Sequence, residues 1–251
     1  MTVRRGVAIV TGGGRGIGGA TALMLAERGW DVAVSYREQA APAEGIAAAC
    51  RAFGREALAV GADVGDERDV LSMFARVDRE LGTLNALVNN AGVVLAPSRV
   101  DEVTTERLQR LFTVNVAGSF LCAREAVRRM STRHGGTGGV IVNVSSAAAR
   151  LGGPGEWVDY AATKGAIDTM TIGLAREVAD ERIRVNAVRP GLIDTQLHAS
   201  AGVPDRVERL KGQIPVKRAG EAAEVAAAIV WLCSDEASYV TGAVLDVSGG
   251  R

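Results

Sequence analysis

A tyrosine and a lysine stand four positions apart in the sequence, at Tyr160 and Lys164, with two alanines and a threonine between them. On a helix this spacing places both side chains on one face. A phenol titrates near pH ~10, and an ammonium group one turn away stabilises the phenolate and lowers the pKa of the phenol, as a general acid/base near neutrality requires. Such pairs are also common on solvated helix faces, so the meaning of this one depends on the rest of the chain.

The sequence lacks the parts of other common catalytic designs. It contains neither a G-x-S-x-G nor an H-E-x-x-H motif, and its two histidines, His134 and His198, fall in loop-like segments where we expect surface residues. Three cysteines, Cys50, Cys122 and Cys233, are far apart and show no C-x-x-C spacing, so neither a disulfide framework nor a zinc site is predicted. We expect buried thiols in a reducing compartment, and no metal.

Composition indicates an ordinary soluble globular protein. The 29 basic residues balance 29 acidic ones, which argues against polyanionic partners such as nucleic acid. No stretch approaches the ~20 apolar residues of a membrane-spanning helix. The apolar run after Arg4 and Arg5 ends at Thr11 and is too short for a signal sequence, so we interpret it as a first strand. The prediction is a cytoplasmic protein that binds neither nucleic acid nor membrane.

Short runs rich in β-branched residues alternate with longer stretches rich in Ala, Leu, Arg and Glu. This alternation is typical of βαβ units, so the predicted fold class is α/β, with one doubly wound parallel sheet of about seven strands and helices on both faces. The predicted strands are 7–10, 32–36, 57–62, 84–89, 140–144, 183–188 and 244–247, and the predicted helices are 17–28, 41–53, 67–81, 105–129, 157–180 and 222–233. No linker or repeat divides the chain, so residues 1–251 are expected to form one domain.

The first predicted strand leads directly into a glycine-rich turn that opens a helix. Glycine permits a tight turn and a close approach of backbone amides to a pyrophosphate at the positive end of the helix. Because the turn follows a strand and precedes a helix, dinucleotide binding is favoured over a purely conformational role, and the absence of Lys-Ser or Lys-Thr argues against a P-loop hydrolase. The cofactor-binding residues predicted here are Gly12, Gly14, Arg15, Gly16, Ile17 and Gly18.

The end of the second predicted strand bears on the choice of cofactor. An NAD-selective site often places an acid there, on the ribose 2′-hydroxyl, but this strand ends at Ser35-Tyr36-Arg37. Arg37 and Arg15 can instead form charge-assisted hydrogen bonds with a 2′-phosphate. The alternative is that both are solvated surface arginines, since Glu38 adjoins Arg37. We therefore expect NADP(H), with NAD(H) as the alternative.

An ordered series of motifs covers nearly the whole chain. It comprises the glycine-rich turn, Asp63-Val64, Asn89-Asn90-Ala91-Gly92, Asn115, Ser145-Ser146, Tyr160 with Lys164, and Arg189-Pro190-Gly191. On these residues the chain resembles the short-chain dehydrogenase/reductase family, which implies a Rossmann-type fold and hydride transfer between a nicotinamide cofactor and a carbonyl or alcohol group. Within the family the chain is similar to bacterial glucose 1-dehydrogenase-like and 3-oxoacyl-carrier-protein-reductase-like enzymes.

The resemblance implies four catalytic residues. Tyr160 is the general acid/base, Lys164 lowers its pKa and holds the nicotinamide ribose, and Ser146 polarises the substrate carbonyl. Asn115 kinks its helix and holds a water that relays protons to the lysine. The interval between the serines and Tyr160 is slightly longer than in many family members, which leaves Ser145 as an alternative to Ser146.

The resemblance also implies cofactor contacts beyond the glycine-rich turn. Besides Arg37, Tyr160 and Lys164, the residues concerned are Asp63, Val64, Asn90, Ala91, Gly92, Pro190, Gly191, Ile193 and Thr195. Asp63 and Val64 would border the adenine, although Asp63 could instead cap the helix that follows it. Thr195 would reach the nicotinamide carboxamide, although it could also cap a short helix of its own.

The substrate is expected to be a small carbonyl or alcohol compound. Residues 194–217 form the least regular segment and are predicted to be a substrate lid, because ligands of open parallel sheets bind beyond the carboxyl ends of the strands. Glu156 and Trp157 precede Tyr160 and would suit a small polar carbonyl or sugar if they line the pocket. Trp157 could equally pack in the core or at an interface.

The sequence leaves the protein partners, the oligomeric state and a non-catalytic function as open alternatives. An acidic carrier protein could dock on Arg133, with Arg128 and Arg129 nearby, but Asp180 and Glu181 occupy the second region that such docking would use. The predicted helices 105–129 and 157–180 carry apolar faces, as in family members that form homotetramers, with a homodimer as the alternative. A nucleotide-binding sensor or scaffold without turnover is the competing function, and the intact catalytic set argues against it.

Overall fold

The computed structural model describes residues 5–251, so Arg4, which precedes the first strand, lies outside the described residues. Seven strands form one sheet in the order β3-β2-β1-β4-β5-β6-β7, and every neighbouring pair is parallel. The strands are β1 (Gly6–Val10), β2 (Trp30–Tyr36), β3 (Ala57–Gly61), β4 (Leu84–Asn89), β5 (Gly139–Val144), β6 (Ile183–Pro190) and β7 (Val244–Val247). The predicted Rossmann-type, doubly wound sheet is confirmed.

Helices connect the strands and cover both faces of the sheet. Within residues 5–251 they are α1 (Gly16–Glu27), α2 (Ala40–Ala52), α3 (Glu67–Glu80), α4 (Thr105–Phe112), α5 (Gly118–Met130), α6 (Ala148–Leu151), α7 (Val158–Val178), α8 (Gln196–Ser200), α9 (Arg206–Leu210) and α10 (Ala222–Cys233). No helix in this part of the chain combines the length and apolar character needed to cross a membrane.

The strands are buried on both faces, and successive side chains enter two separate apolar cores. Ala8 and Val10 of β1 pack in the core that contains α1, α2 and α10. Val7 and Ile9 point the other way, into the core that contains α3, α5 and α7. This two-sided burial is the reason why the strands read as continuous apolar runs in the sequence.

The three cysteines are buried and free, as the sequence predicted. Cys50 and Cys233 lie in the first core and Cys122 in the second. Burial raises the pKa of the Cys50 thiol to about 11 and that of the Cys122 and Cys233 thiols to about 12. All three side chains therefore stay protonated near neutrality and act as packing residues.

The helical stretch predicted at 105–129 is present from Thr105 to Met130, but a π-helical turn at Thr113–Ala117 separates α4 from α5 at the place where the resemblance implied a kink. Asn115 lies buried at the centre of this turn. Turns of this type widen the helix by one residue and are frequent at functional sites. The short helices α6, α8 and α9 were not predicted, whereas the bounds of the other predicted elements differ from the structure by at most two residues.

The strand order creates an opening at the carboxyl ends of β1 and β4. The chain runs outward from β1 through β2 to β3, and then returns to place β4 on the other side of β1. The loops that follow β1 and β4 therefore lead away from each other. In open parallel sheets such a reversal forms the crevice in which ligands bind.

Candidate functional site

A cleft of about 790 Å³ lies at the carboxyl ends of the strands. It gathers most of the residues that the sequence singled out. Those that line it are Gly12, Gly14, Arg15, Gly16, Ile17, Arg37, Asp63, Val64, Asn90, Ala91, Gly92, Ser146, Tyr160, Lys164, Pro190, Gly191, Ile193 and Thr195. Gly18 and Asn115 are not among its lining residues, and both lie behind the wall of the cleft.

The glycine-rich turn between β1 and α1 has a backbone that favours glycine. Gly12 and Gly16 have φ angles of +62° and +54°. An added Cβ at Gly18 would lie 2.5 Å from both the Asn90 Nδ2 and the Gly12 carbonyl oxygen. At the start of α1, Arg15 makes no capping hydrogen bond with its side chain. The first amides of α1 thus face the cleft without a side-chain cap, an arrangement that fits a pyrophosphate.

Asn90 ties this turn to the end of β4. Its Nδ2 donates to the carbonyl oxygens of Thr11 and Gly12 at 2.8 and 3.1 Å. The buried Thr11 hydroxyl in return accepts from the backbone N–H groups of Asn90 and Ala91, both at 3.0 Å. Thr11 is not among the predicted site residues, although a Thr at the junction of strand and turn could have signalled it.

The far end of the cleft contains the groups predicted to bind the adenosine part of a cofactor. Asp63 accepts from the Gly65 N–H at 2.9 Å and forms an ion pair with Arg110 at 3.5 Å. The residue that caps α3 is Asp66, whose side chain accepts from the Arg68 N–H, so the alternative of Asp63 as the cap is wrong. The Asp63 carboxylate remains at the wall of the cleft.

Two arginines lie at this end of the cleft, one from each of the first two strand-to-helix connections. Arg37 follows β2 and forms an ion pair with Glu38. Arg15 donates to the Gln196 side chain at 3.2 Å, which links the glycine-rich turn to α8. Both arginines line the cleft. The hydrogen bond of Arg15 and the ion pair of Arg37 are both exposed to solvent.

Tyr160 and Lys164 project from α7 toward the end of β5. Tyr160 and Ser146 both line the cleft, and hydrogen bonding of Ser146 to the Tyr160 side chain lowers the pKa of Tyr160. Lys164 Nζ donates to the Val144 carbonyl oxygen at 2.8 Å and lies 5.7 Å from the centre of the Tyr160 ring. Ser145, by contrast, donates to the Lys164 carbonyl oxygen at 3.2 Å, on the buried side. The hydroxyl that meets Tyr160 in the cleft is therefore that of Ser146.

The pKa of Tyr160 shifts in the direction opposite to the one predicted from its spacing to Lys164. Burial raises the pKa of Tyr160 to about 12, and the hydrogen bond with Ser146 opposes this rise. Burial also lowers the pKa of Lys164 to about 8, although the charge of the nearby Asp168 carboxylate raises it. The amine is directed at the Val144 carbonyl, and loss of hydration outweighs its attraction for a phenolate. Tyr160 is consequently a protonated phenol at neutral pH.

Asn115 links the π-helical turn to the two other elements that surround Lys164. Its Oδ1 accepts from the Val93 N–H at 2.7 Å, and its Nδ2 donates to the Val93 carbonyl at 2.9 Å and to the Thr163 hydroxyl at 3.1 Å. An added Cβ at Gly92 would lie 3.3 Å from the Asn115 Oδ1 and 3.5 Å from Lys164 Nζ. Asn115 thus holds its turn against the floor of the cleft beside Lys164.

Several residues of the segment 194–217 line the cleft, and Arg206 of α9 connects this segment to the loop before α7. Its guanidinium lies 4.1 Å from the centre of the Trp157 ring and 2.5 Å from the Glu156 carboxylate. The Trp157 indole donates to the Leu95 carbonyl at 2.8 Å. Arg206 is not among the predicted site residues, because nothing in the local sequence connects it to Trp157.

His198 of α8 is half-buried and lines the cleft, so the prediction of a surface histidine is wrong at this position. Burial lowers the pKa of its imidazole, and the charge of Arg206 lowers it further. His134 is exposed, as predicted. Thr195 occupies the N-cap position of α8 but makes no capping hydrogen bond with its side chain, which removes that alternative for Thr195.

Comparison with known proteins places this chain among oxidoreductases. A family model described as enoyl-(acyl carrier protein) reductase matches residues 12–251. The uncharacterized oxidoreductase YgfF of Escherichia coli is 54% identical over 98% of this chain and 99% of its own length. A 3-oxoacyl-[acyl-carrier-protein] reductase of Staphylococcus aureus is 35% identical over 97% of this chain and 96% of its own length.

Solved structures of related proteins have the same overall fold. A short-chain dehydrogenase/reductase of Serratia marcescens superposes with a TM-score of 0.90 at 34% identity, covering 100% of this chain and 99% of its own. A short-chain dehydrogenase of Burkholderia cenocepacia in complex with NADP has a TM-score of 0.90 at 32% identity, with the same coverage. The chain belongs to the short-chain dehydrogenase/reductase family. It is an oxidoreductase that acts on CH–OH and C=O groups, in a family that binds NAD(P).

Replacement of Gly18 by alanine is expected to weaken NADPH binding about tenfold or more, which corresponds to about 1.4 kcal/mol. The new Cβ would displace the Asn90 amide and the Gly12 carbonyl that shape the turn. Fluorescence titration with NADPH measures the effect. Gly45→Ala in α2 is the control, because a Cβ there meets open space. Equal affinities in the two variants would contradict this account of the turn.

Proposed function

We propose that this protein is an NADP(H)-dependent reductase of small carbonyl compounds, with Tyr160 as the proton donor. The observation that carries the proposal is the convergence of Ser146, Tyr160 and Lys164 on the cleft that also contains the glycine-rich turn. Tyr160 is a phenol at neutral pH, which is the form that can donate a proton to a carbonyl oxygen.

The proposed chemistry assigns a separate role to each catalytic side chain. When bound, the nicotinamide cofactor supplies the hydride. Ser146 and Tyr160 donate hydrogen bonds to the carbonyl oxygen of the substrate, and Tyr160 transfers its proton to that oxygen as negative charge develops there. The Lys164 ammonium stabilises the resulting phenolate and binds the nicotinamide ribose. Asn115 keeps the floor of the cleft in place and orders a water for proton transfer to Lys164.

The remaining predicted residues hold the cofactor in this proposal. The amides of the glycine-rich turn bind the pyrophosphate, and Asp63 and Val64 border the adenine. Arg37 and Arg15 favour a 2′-phosphate, and NADP(H) over NAD(H), because both arginines line the adenosine end of the cleft. The NADP complex of the Burkholderia relative is consistent with this preference.

We propose a free small molecule, rather than a carrier-bound one, as the substrate. The arginines that could dock an acidic carrier protein are already engaged in ion pairs: Arg128 with Glu125, Arg129 with Asp78 and Glu125, and Arg133 with Asp180 and Glu181. Residues 194–217 act as the substrate lid of a single domain, with Arg206 closed on Glu156 and Trp157. A 3-oxoacyl-carrier-protein reductase or a sugar 1-dehydrogenase is the alternative activity.

A binding protein without turnover is the competing function class. It would retain the nucleotide cleft but would not depend on the Tyr160 hydroxyl. Tyr160→Phe is therefore expected to lower kcat for reduction of a carbonyl panel by at least about a hundredfold, the size of a general-acid contribution, while NADPH affinity changes little. Tyr239→Phe, at a fully exposed tyrosine, is the control. Full turnover by the Tyr160→Phe variant would refute the catalytic proposal.

Cofactor preference is tested at Arg37. Arg37→Ala is expected to lower kcat/KM for NADPH about tenfold or more and to leave the value for NADH nearly unchanged, because a charge-assisted hydrogen bond is worth roughly 1.5–3 kcal/mol. The matched control is Arg99→Ala, an exposed arginine paired with Asp101. If the ratio of NADPH to NADH efficiency stayed at the wild-type value, Arg37 would be only a solvated surface residue.

We also propose a homotetramer located in the cytoplasm. Large apolar side chains are exposed on the helices that the sequence assigned to subunit contacts: Leu108, Phe112, Phe120, Val158 and Ile172. Contacts between subunits across two-fold axes would bury these side chains. The free, buried thiols fit a reducing compartment.

The assembly is tested by light scattering coupled to size-exclusion chromatography at micromolar concentration. The wild-type protein is expected to elute as a tetramer, and Phe120→Glu as a smaller species, because a charge would be buried at the contact. Glu236→Gln, which changes an exposed residue outside these helices, is the control. A monomeric wild type would contradict the proposed assembly.

A further inference from the structure

Asp168 of α7 is a buried carboxylate one helical turn after Lys164, and it has no role in the chemistry described above. Its Oδ2 accepts from Arg189 Nε at 2.9 Å. Its Oδ1 is buried and has no hydrogen-bond partner within residues 5–251. A buried carboxylate oxygen without a partner is costly, so packing alone does not explain this residue.

Arg189 connects Asp168 to the cofactor side of the cleft. It lies in β6 directly before Pro190, and its Nη1 is 3.6 Å from Asp246 Oδ1 of β7. Asp246 in turn forms an ion pair with Arg150 of α6 at 3.1 Å. A line of alternating charges therefore runs from the helix of Lys164 across β6 and β7 to the helix that follows Ser146.

The groups that face Lys164 come from four elements. Tyr160 and Asp168 lie one turn before and one turn after it on α7, β5 contributes the neutral Val144 carbonyl, and the π-helical turn contributes the neutral Asn115 amide. From β6, Arg189 contributes a positive charge that is ion-paired with Asp168 at 2.9 Å. The remaining acid near Tyr160 on this helix, Asp159, is paired with Arg107 at 2.5 Å.

Asp168 is thus the anionic group that opposes the cost of burying the Lys164 ammonium. Burial lowers the pKa of Lys164 to about 8, and the Asp168 carboxylate raises it. Arg189 donates a hydrogen bond to one oxygen of this carboxylate, and the other oxygen accepts none from residues 5–251. An opposite charge within one turn favours the charged form of an amine.

We propose that Asp168, held in place by Arg189, is a positioning residue that keeps Lys164 protonated at the working pH and so sustains Tyr160 as a proton donor. This inference rests on the proposed function of Tyr160 and Lys164. The charge of Lys164 is lost as the pH rises through its pKa, so a change that lowers this pKa removes the charge at a lower pH. Without the Asp168 charge, the alkaline limit of carbonyl reduction therefore moves toward neutrality.

The test is a direct titration of the lysine amine, since Lys164, Lys211 and Lys217 are the only lysines in the sequence. Protein labelled with 15Nζ-lysine is titrated by NMR in the wild type and in Asp168→Asn, which keeps an oxygen that can accept from Arg189. The Lys164 pKa is expected to fall by roughly one unit in the variant, within the range that a neighbouring charge produces. The alkaline limb of kcat/KM should move by the same amount.

The matched control is Asp246→Asn, which removes a carboxylate of the same charge line that contacts Arg189 but not α7. It is expected to leave the Lys164 titration near that of the wild type. A second variant, Asp168→Ser, removes the same carboxylate with a smaller side chain and is expected to lower the Lys164 pKa in the same direction. It keeps the proposal testable if Asp168→Asn fails to fold.

An unchanged Lys164 titration in Asp168→Asn, or in Asp168→Ser if the first variant does not fold, overturns the proposal. Equal shifts in Asp168→Asn and Asp246→Asn also overturn it, because they would show a general structural effect. Failure of the proposed function is recognised separately. It would appear as turnover in Tyr160→Phe, whereas the NMR titration reports the effect of Asp168 on Lys164 whether or not a substrate is turned over.

Discussion

The hydrogen bond from the Lys164 ammonium to the Val144 carbonyl joins α7 to the carboxyl end of β5. Because a buried ammonium is costly without a partner, α7 cannot slide along the sheet without losing this bond. The bond of Ser145 to the Lys164 carbonyl fixes the same two elements from the buried side. Tyr160 and Ser146 are therefore brought together by a strand and a long helix, which hold a geometry more accurately than loops do.

The features that the sequence predicted well are those that depend on local pattern. Two-sided burial makes β1 and β5 continuous apolar runs, and the turn after Thr11 requires glycines because two of its residues have positive φ. The family resemblance assigned the catalytic hydroxyl to Ser146 and left Ser145 as the alternative, because adjacent residues at a strand end point to opposite sides and a shift of one residue exchanges them. Only the position of α7 decides which hydroxyl meets Tyr160.

The features that the sequence predicted poorly depend on what surrounds a side chain in three dimensions. The spacing of Tyr160 and Lys164 gave their common face but not the direction of the amine, so the sign of the Tyr160 pKa shift was wrong. His198 is half-buried and close enough to Arg206 for that charge to lower the pKa of its imidazole, and no local pattern encodes this proximity. The resemblance implied a kink at Asn115, but its bonds to Val93 and Thr163, which lie far away in the sequence, are visible only in the structure.

The π-helical turn at Thr113–Ala117 also sets the rotational phase between α4 and α5. Each residue of an α-helix advances by roughly 100°, so the eight steps from Phe112 to Phe120 would rotate the second ring by about 80° relative to the first. One inserted residue removes a step and brings the two rings to within about 20° of each other. Leu108, Phe112 and Phe120 consequently share one outward stripe. The same inserted residue that turns Asn115 inward thus aligns the apolar surface on the outside, and deleting it would disturb the cleft and that surface together.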